Sequence, residues 1–321
     1  MPPECEEMED RSMPEKISCI DGRIKDHLRF AAATTLCGRR AMVNKIWCQD
    51  VVRKLFHRKE EPLPHGRLFS EPKCQKHVAT WYLLYRGLIF AAWVTIMVCS
   101  IFQFGTVSTT ILDNKWPIFL TNWDLVLGVS QALFGLFLTS RRWKLQKASD
   151  FDSRGLTLGL TEKVYWFLFV VTMNTALCVS ITYWCGVYDP KIHHLDPLNY
   201  MLHVCNSILM IIDFVVTSIP FKLKNFWWCL TIVFLYVTFS LIYYLAGGLD
   251  RNGHHYIYKI LDWKKPLQTT WVCIVEAVFT IVVHFIICLL DGVKHRLYAK
   301  AGRKSFDLTQ TPVSEKRTDI V

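Results

Sequence analysis

The sequence predicts an all-α polytopic membrane protein: a bundle of about six transmembrane helices with both termini in the cytoplasm. Three observations carry this prediction. Hydrophobic residues make up 52% of the chain and charged ones only 20%, against about 45–50% and about 25% in soluble domains. The charge is crowded into the two ends of the chain and a few short connectors. Between those connectors lie six nearly uncharged runs, each of about twenty residues or more. At 1.5 Å per residue, each is long enough to cross about 30 Å of hydrocarbon.

Residues 1–77 are polar, first acidic and then basic, and read as a mostly disordered cytoplasmic region. Within them "MVNKIWCQDVVRKLFHRK" spaces Trp47, Val51 and Leu55 helically, with Lys45, Arg53, Lys54, Arg58 and Lys59 largely elsewhere around the helix. That is the pattern of an amphipathic helix near 43–58, resting on a membrane surface or meeting a partner. The transmembrane domain takes residues 78–291. Its spans are expected near Ala79–Phe104, Leu120–Ser140, Lys163–Gly186, Tyr200–Phe221, Phe226–Ala246 and Thr269–Leu290. Aromatic clusters such as "TWYLLY", "VYWF", "NFWW" and "IYYL" close these runs and mark the headgroup level. Residues 292–321 form a basic cytoplasmic tail. No apolar leader opens the chain, so the first span is expected to act as the targeting signal.

Lysine and arginine set the orientation. Arg67, Lys73 and Lys76 precede the first span, and Arg141, Arg142, Lys144, Lys147 and Arg154 fill the second connector. Lys222 and Lys224 lie in the fourth connector, whereas the first and third hold only Lys115 and Lys191. The positive-inside rule then places both termini in the cytoplasm. The fifth connector, with Arg251, Lys259, Lys264 and Lys265, dissents; its "GGLDRNGHHYIY" reads as an ordered, turn-rich loop.

The net charge of +10 fits cytoplasmic loops facing anionic headgroups, not nucleic acid. The partner implied is the lipid bilayer, together with a lipid substrate or other membrane proteins. Twelve cysteines show no C-x-x-C pair and fall in apolar runs or the basic N-terminal region, as buried hydrophobes and cytosolic thiols do. His193–His194 and His254–His255 are adjacent and diverge, and no H-E-x-x-H or Cys/His spacing accompanies them. Neither a metal nor another cofactor is expected.

The chemistry lies at the polar starts of the apolar runs. In "KWPIFLTNWDLVLGVSQ" the second span opens on Thr121, Asn122, Trp123 and Asp124. Thr121 reads as a helix cap, since a side-chain oxygen there satisfies an orphan N–H and a carboxylate suits the dipole. It also reads as a nucleophile, provided a base removes its proton. His203, in the first turns of the fourth span, is such a base, with an ordinary pKa near 6.5. Asn206 follows at i+3 on the same face and is placed to orient the imidazole. Deeper in the bundle, Asp213, Glu276 and His284, with Asn174 and Gln131, read as hydrogen-bonding glue between helices or as a proton or ion path. Asp213 lies about 15 Å beyond His203 along the helix, too far to join it.

Four segments, "LLYRGLIFAAW", "KWPIFLTNWDLVL", "LHVCNSILMIIDF" and "GGLDRNGHHYIYKILDWKKP", resemble the rolling stone family of multi-pass membrane proteins, over roughly residues 75–298. That resemblance implies a plasma-membrane protein acting in cell–cell (myoblast) fusion or muscle development, with no established catalytic activity. A fainter likeness joins "FLT" (Phe119–Leu120–Thr121) and "LNYMLH" (Leu198 to His203) to the androgen-induced family of intramembrane threonine hydrolases, which split fatty-acid esters. It implies a metal-independent lipid-ester hydrolase with Thr121 as nucleophile and His203 as base. Val204–Cys205–Asn206 depart from the hydroxyl residues that those hydrolases carry there. The leading expectation is the fusion role and the alternative is hydrolysis. A transporter or channel using Asp213, Glu276 and His284 comes third, since no two matching halves with broken helices occur.

Overall fold

The computed structural model describes residues 65–106, 114–148, 151–152, 155–188 and 195–309, with side chains as far as residue 301. The amphipathic stretch expected near 43–58 lies outside them. Six helices are long and apolar enough to cross a membrane. They are α1 (Thr80–Ile101), α2 (Leu120–Leu145), α3 (Leu160–Thr182), α4 (Pro197–Val216), α5 (Phe226–Leu245) and α6 (Pro266–Thr309). Hydrocarbon offers the backbone no hydrogen-bond partners, so each apolar run must satisfy its own N–H and C=O groups as a helix. Among the described residues there is no strand, only an isolated bridge between Pro72 and Thr217.

Several ends differ from the expected ones for local reasons. α4 begins three residues early because Asp196 caps it, accepting from the Asn199 N–H at 2.8 Å, with Pro197 in the first turn. α3 continues as a π-turn over Tyr183–Val187, and a second π-turn, Met201–Cys205, interrupts α4. α6 runs past Leu290, so the basic tail starts as helix. Part of the polar region ahead of the first span, residues 66–72, is likewise packed. Phe69 and Glu71 are buried, and the Lys73 N–H donates to the Val216 carbonyl at 2.8 Å.

α3 is the central helix: 67% of its apolar window is buried, against 17% for α5. Its small and polar residues, Thr172, Asn174, Thr175, Ala176 and Ser180, let neighbouring helices approach closely. α2 packs between α1 and α3. At Gly128 an added Cβ would run into the Trp93 ring, so only glycine lets α1 and α2 meet there.

One buried pair of charges, Arg86 and Asp213, closes across helices. Arg86 of α1 donates from Nη1 to both Asp213 oxygens at 2.8 and 2.9 Å, and both residues are fully buried. Tyr85 donates to Asp213 at 3.0 Å, while Tyr82 and Tyr165 accept from the guanidinium. His284 bonds the Lys222 carbonyl at 3.0 Å and Asn174 donates to the Thr280 carbonyl at 3.2 Å. Asp213, Glu276 and His284 therefore do not pair with one another: Asp213 bonds α1, Glu276 accepts from Thr182 of α3, and His284 holds the connector ahead of α5. Where the chain enters α1, Arg67 and Arg142 close on Glu71 at 3.0 and 2.9 Å. That end of the bundle is called the Glu71 end below, and the opposite end the Thr121 end.

Candidate functional site

The polar turn at the start of α2 divides its work among four side chains. Phe119 is the capping residue and makes no side-chain cap, so Thr121, at the second helical position, is not the N-cap. The orphan Leu120 N–H donates instead to the Tyr258 hydroxyl at 3.0 Å. Tyr236 of α5 adds a bond to the Ile118 carbonyl at 2.9 Å. Asn122 donates to the Trp116 carbonyl at 2.6 Å and accepts from Ser100 at 3.1 Å, and Trp123 donates to the Pro117 carbonyl at 2.8 Å. The bonds to the Trp116 and Pro117 carbonyls bind the connector to the helix. Asp124 crosses to α4, and Thr121 is left facing a cavity.

His203 sits in the π-turn of α4, buried, with its ring stacked on Tyr183 at 3.4 Å between centroids and 1° between planes. Tyr183 opens the other π-turn and donates to Asn199 at 3.1 Å. Trp184 donates to the His203 carbonyl at 3.3 Å. Two facing π-turns thus fix the imidazole from one side, and such bulges recur at functional sites.

Asn206 bonds Asp124 of α2 and Ser180 of α3. Its amide donates to Asp124 at 2.9 Å, and its carbonyl accepts from Ser180 at 3.3 Å and the Ser207 N–H at 2.7 Å. Its effect is on register. Asp124 follows Thr121 by three residues and Asn206 follows His203 by three, so the Asp124–Asn206 bond holds one turn of α2 against one turn of α4.

Thr121 and His203 both line two adjoining cavities. One, of about 110 Å³, runs between α3, α5 and α6 over largely apolar side chains such as Ile232, Val233 and Val272. The other, of about 830 Å³, lies under the connectors and is more polar, with Gln103, Asn199, Asn252 and Lys259 on its wall. Thr121, His203, Tyr183, Val187, Tyr258 and Ile260 line both, and so form the neck between them.

A family model described as Protein rolling stone matches residues 53–311. The chain belongs to the rolling stone family. Protein rolling stone of Drosophila melanogaster is 33% identical over 214 residues, covering 62% of this chain and 73% of that one. No solved structure matches.

In this rolling stone chain the site draws on one residue that sequence reasoning passed over. Tyr258 comes from the fifth connector, an ordered loop in which Gly247 and Gly253 take φ of 74° and 79° and Asp250 binds the His254 N–H at 2.6 Å. Thr121 and Tyr236 bear on its phenol alongside Leu120, and burial pushes its pKa up. The phenol therefore stays protonated and able to donate. The signal was the aromatic tail of "GGLDRNGHHYIY", but nothing in the spacing ties that loop to a helix start 138 residues earlier.

Proposed function

We propose that this chain is a plasma-membrane protein serving cell–cell fusion or muscle development, and that it does so by hydrolysing a lipid ester at Thr121 and His203. What supports the first part is membership of the rolling stone family together with six membrane-length helices. What supports the second is a single observation: a hydroxyl and an imidazole share the neck between an apolar cavity and a polar one. An ester lying with its chain in the apolar cavity and its polar part in the larger one has its carbonyl at that neck.

In this reading His203 takes the Thr121 proton as the hydroxyl oxygen attacks the ester carbonyl carbon. The carbon–oxygen bond to the alcohol breaks, and the alcohol leaves with the proton from His203. Water, deprotonated by His203, then attacks the acyl-threonine; fatty acid departs and Thr121 recovers its proton. The Leu120 N–H is already given to Tyr258, so the Tyr258 hydroxyl, not that N–H, is the donor available to the oxyanion.

The test is labelling of the full-length protein in membranes with a fluorophosphonate, which reacts with activated hydroxyls. Labelling of the parent that disappears in Thr121→Ala and His203→Ala, at equal surface expression, is the expected result. A well-expressed parent that takes no label overturns hydrolysis and leaves fusion acting through partners. The fusion role is read separately, by whether myoblasts lacking the protein still fuse and whether Thr121→Ala restores them.

A further inference from the structure

The acids buried in this bundle are matched by cations in most places. Glu71 faces Arg142 and Arg67, Glu162 faces Arg141, Asp213 faces Arg86, and Asp291 faces Lys294. Two are not. Asp124 is sealed against Asn206 and borders neither cavity. Glu276 is different, because it stands in the wall of the apolar cavity.

Glu276 lies ten residues into α6, so about 15 Å along it, where lipid or protein would be expected to meet an apolar side chain. Its only hydrogen-bond donor among the described residues is Thr182, whose hydroxyl lies 3.3 and 3.2 Å from the two carboxylate oxygens. A carboxylate has about four acceptor sites, and one neutral hydroxyl leaves most of them empty. Among the described residues, no Lys, Arg or other Asp or Glu lines this cavity. The polar neighbours are already engaged: Asn174 donates to Thr280 and Cys178 lies against both. The position is close to the neck, for Thr182 is next in the chain to Tyr183, on which His203 stacks.

We propose that Glu276 is the recognition residue for a cationic lipid: a single long chain bearing a protonated amine, which enters the apolar cavity and supplies the missing counter-charge. The assignment rests on the reading above only in taking that cavity as the seat of the lipid. In a low-dielectric pocket an unmatched carboxylate is costly, and an ammonium group that pairs with it while its alkyl chain covers apolar wall removes that cost. Thr182 holds the carboxylate toward the cavity. The same pairing discriminates against free fatty acids, whose own carboxylate would meet a like charge.

The experiment uses the full chain in lipid nanodiscs at pH 7 and three photoactivatable probes of equal chain length: a primary amine, an alcohol and a carboxylic acid. Crosslinking to the parent is expected to favour the amine over the alcohol by about tenfold, with the acid weakest. In Glu276→Gln and Glu276→Leu that preference disappears. The alcohol yield stays within about twofold of the parent, which reports that the pocket is still folded. Equal crosslinking of amine and alcohol in the parent overturns the assignment, and so does an amine preference that survives in Glu276→Gln. The crosslink reads binding and not chemistry. Amine selectivity without fluorophosphonate labelling sinks hydrolysis alone; labelling without amine selectivity sinks this assignment alone.

Discussion

At Arg86 the chain holds a guanidinium of 1% side-chain exposure against a carboxylate of 0%. Neither charge could be kept there by itself, and their geometry is as good as such a pair allows: two short bonds and three tyrosines around them. Removing one partner leaves the other buried and unmatched, which costs about 3–5 kcal/mol. Arg86→Met and Asp213→Leu should therefore each lower the thermal midpoint of the detergent-solubilised protein steeply. The double variant should recover much of that loss, because an apolar pair in the same space restores neutrality. A double variant no more stable than the worse single one would show that packing, and not charge, sets the cost. Tyr258 works by the same logic on a smaller scale. Tyr258→Phe leaves the Leu120 N–H without its acceptor and takes a donor from the neck. It should cost about 1–3 kcal/mol of stability and, in the hydrolytic reading, reduce fluorophosphonate labelling about 10²-fold.

Between elements the decisive contacts are small. The α1–α2 seam closes because Gly128 gives the Trp93 ring its place. Gly128→Ala forces a shift of a fully buried indole and should destabilise by about 1–3 kcal/mol, seen as a lower midpoint with unchanged helix content. The α2–α4 seam is held by Asp124 and Asn206. Asp124→Leu should leave the six helices intact and yet lower labelling of Thr121, since the turn carrying His203 loses its anchor. The two π-turns belong to this scale as well. One extra residue per turn re-aims Tyr183 and His203 so that their rings stack, and no apolar periodicity announces such a bulge.

For the molecule as a whole, the distribution of lysine and arginine predicts a cytoplasmic Glu71 end. Cys185 is exposed at the Thr121 end and Cys74 is exposed at the Glu71 end. In single-cysteine variants, a membrane-impermeant maleimide should label Cys185 on intact cells and Cys74 only after permeabilisation; the reverse pattern would invert the topology. The basic fifth connector, which dissents from the positive-inside count, is an ordered part of the site. Its loop delivers Tyr258 to the start of α2 and Lys259 to the larger cavity. Its charge has a structural address, so it weighs less as a topological signal.

The sequence by itself determined the six helices, their approximate ends, the family, and the candidacy of Thr121 and His203. Each of these follows from apolar run length, local motif or residue type, which act over a few turns of chain. Tertiary structure alone decided that Arg86 neutralises Asp213, that Asn206 bonds Asp124, and that Tyr258 meets the backbone at the helix start. It also decided that Glu276 faces a cavity while Asp124 is sealed. The reason is physical. In hydrocarbon every polar group must find a partner, but which partner depends on how helices far apart in sequence are turned toward one another, and side-chain packing sets that rotation.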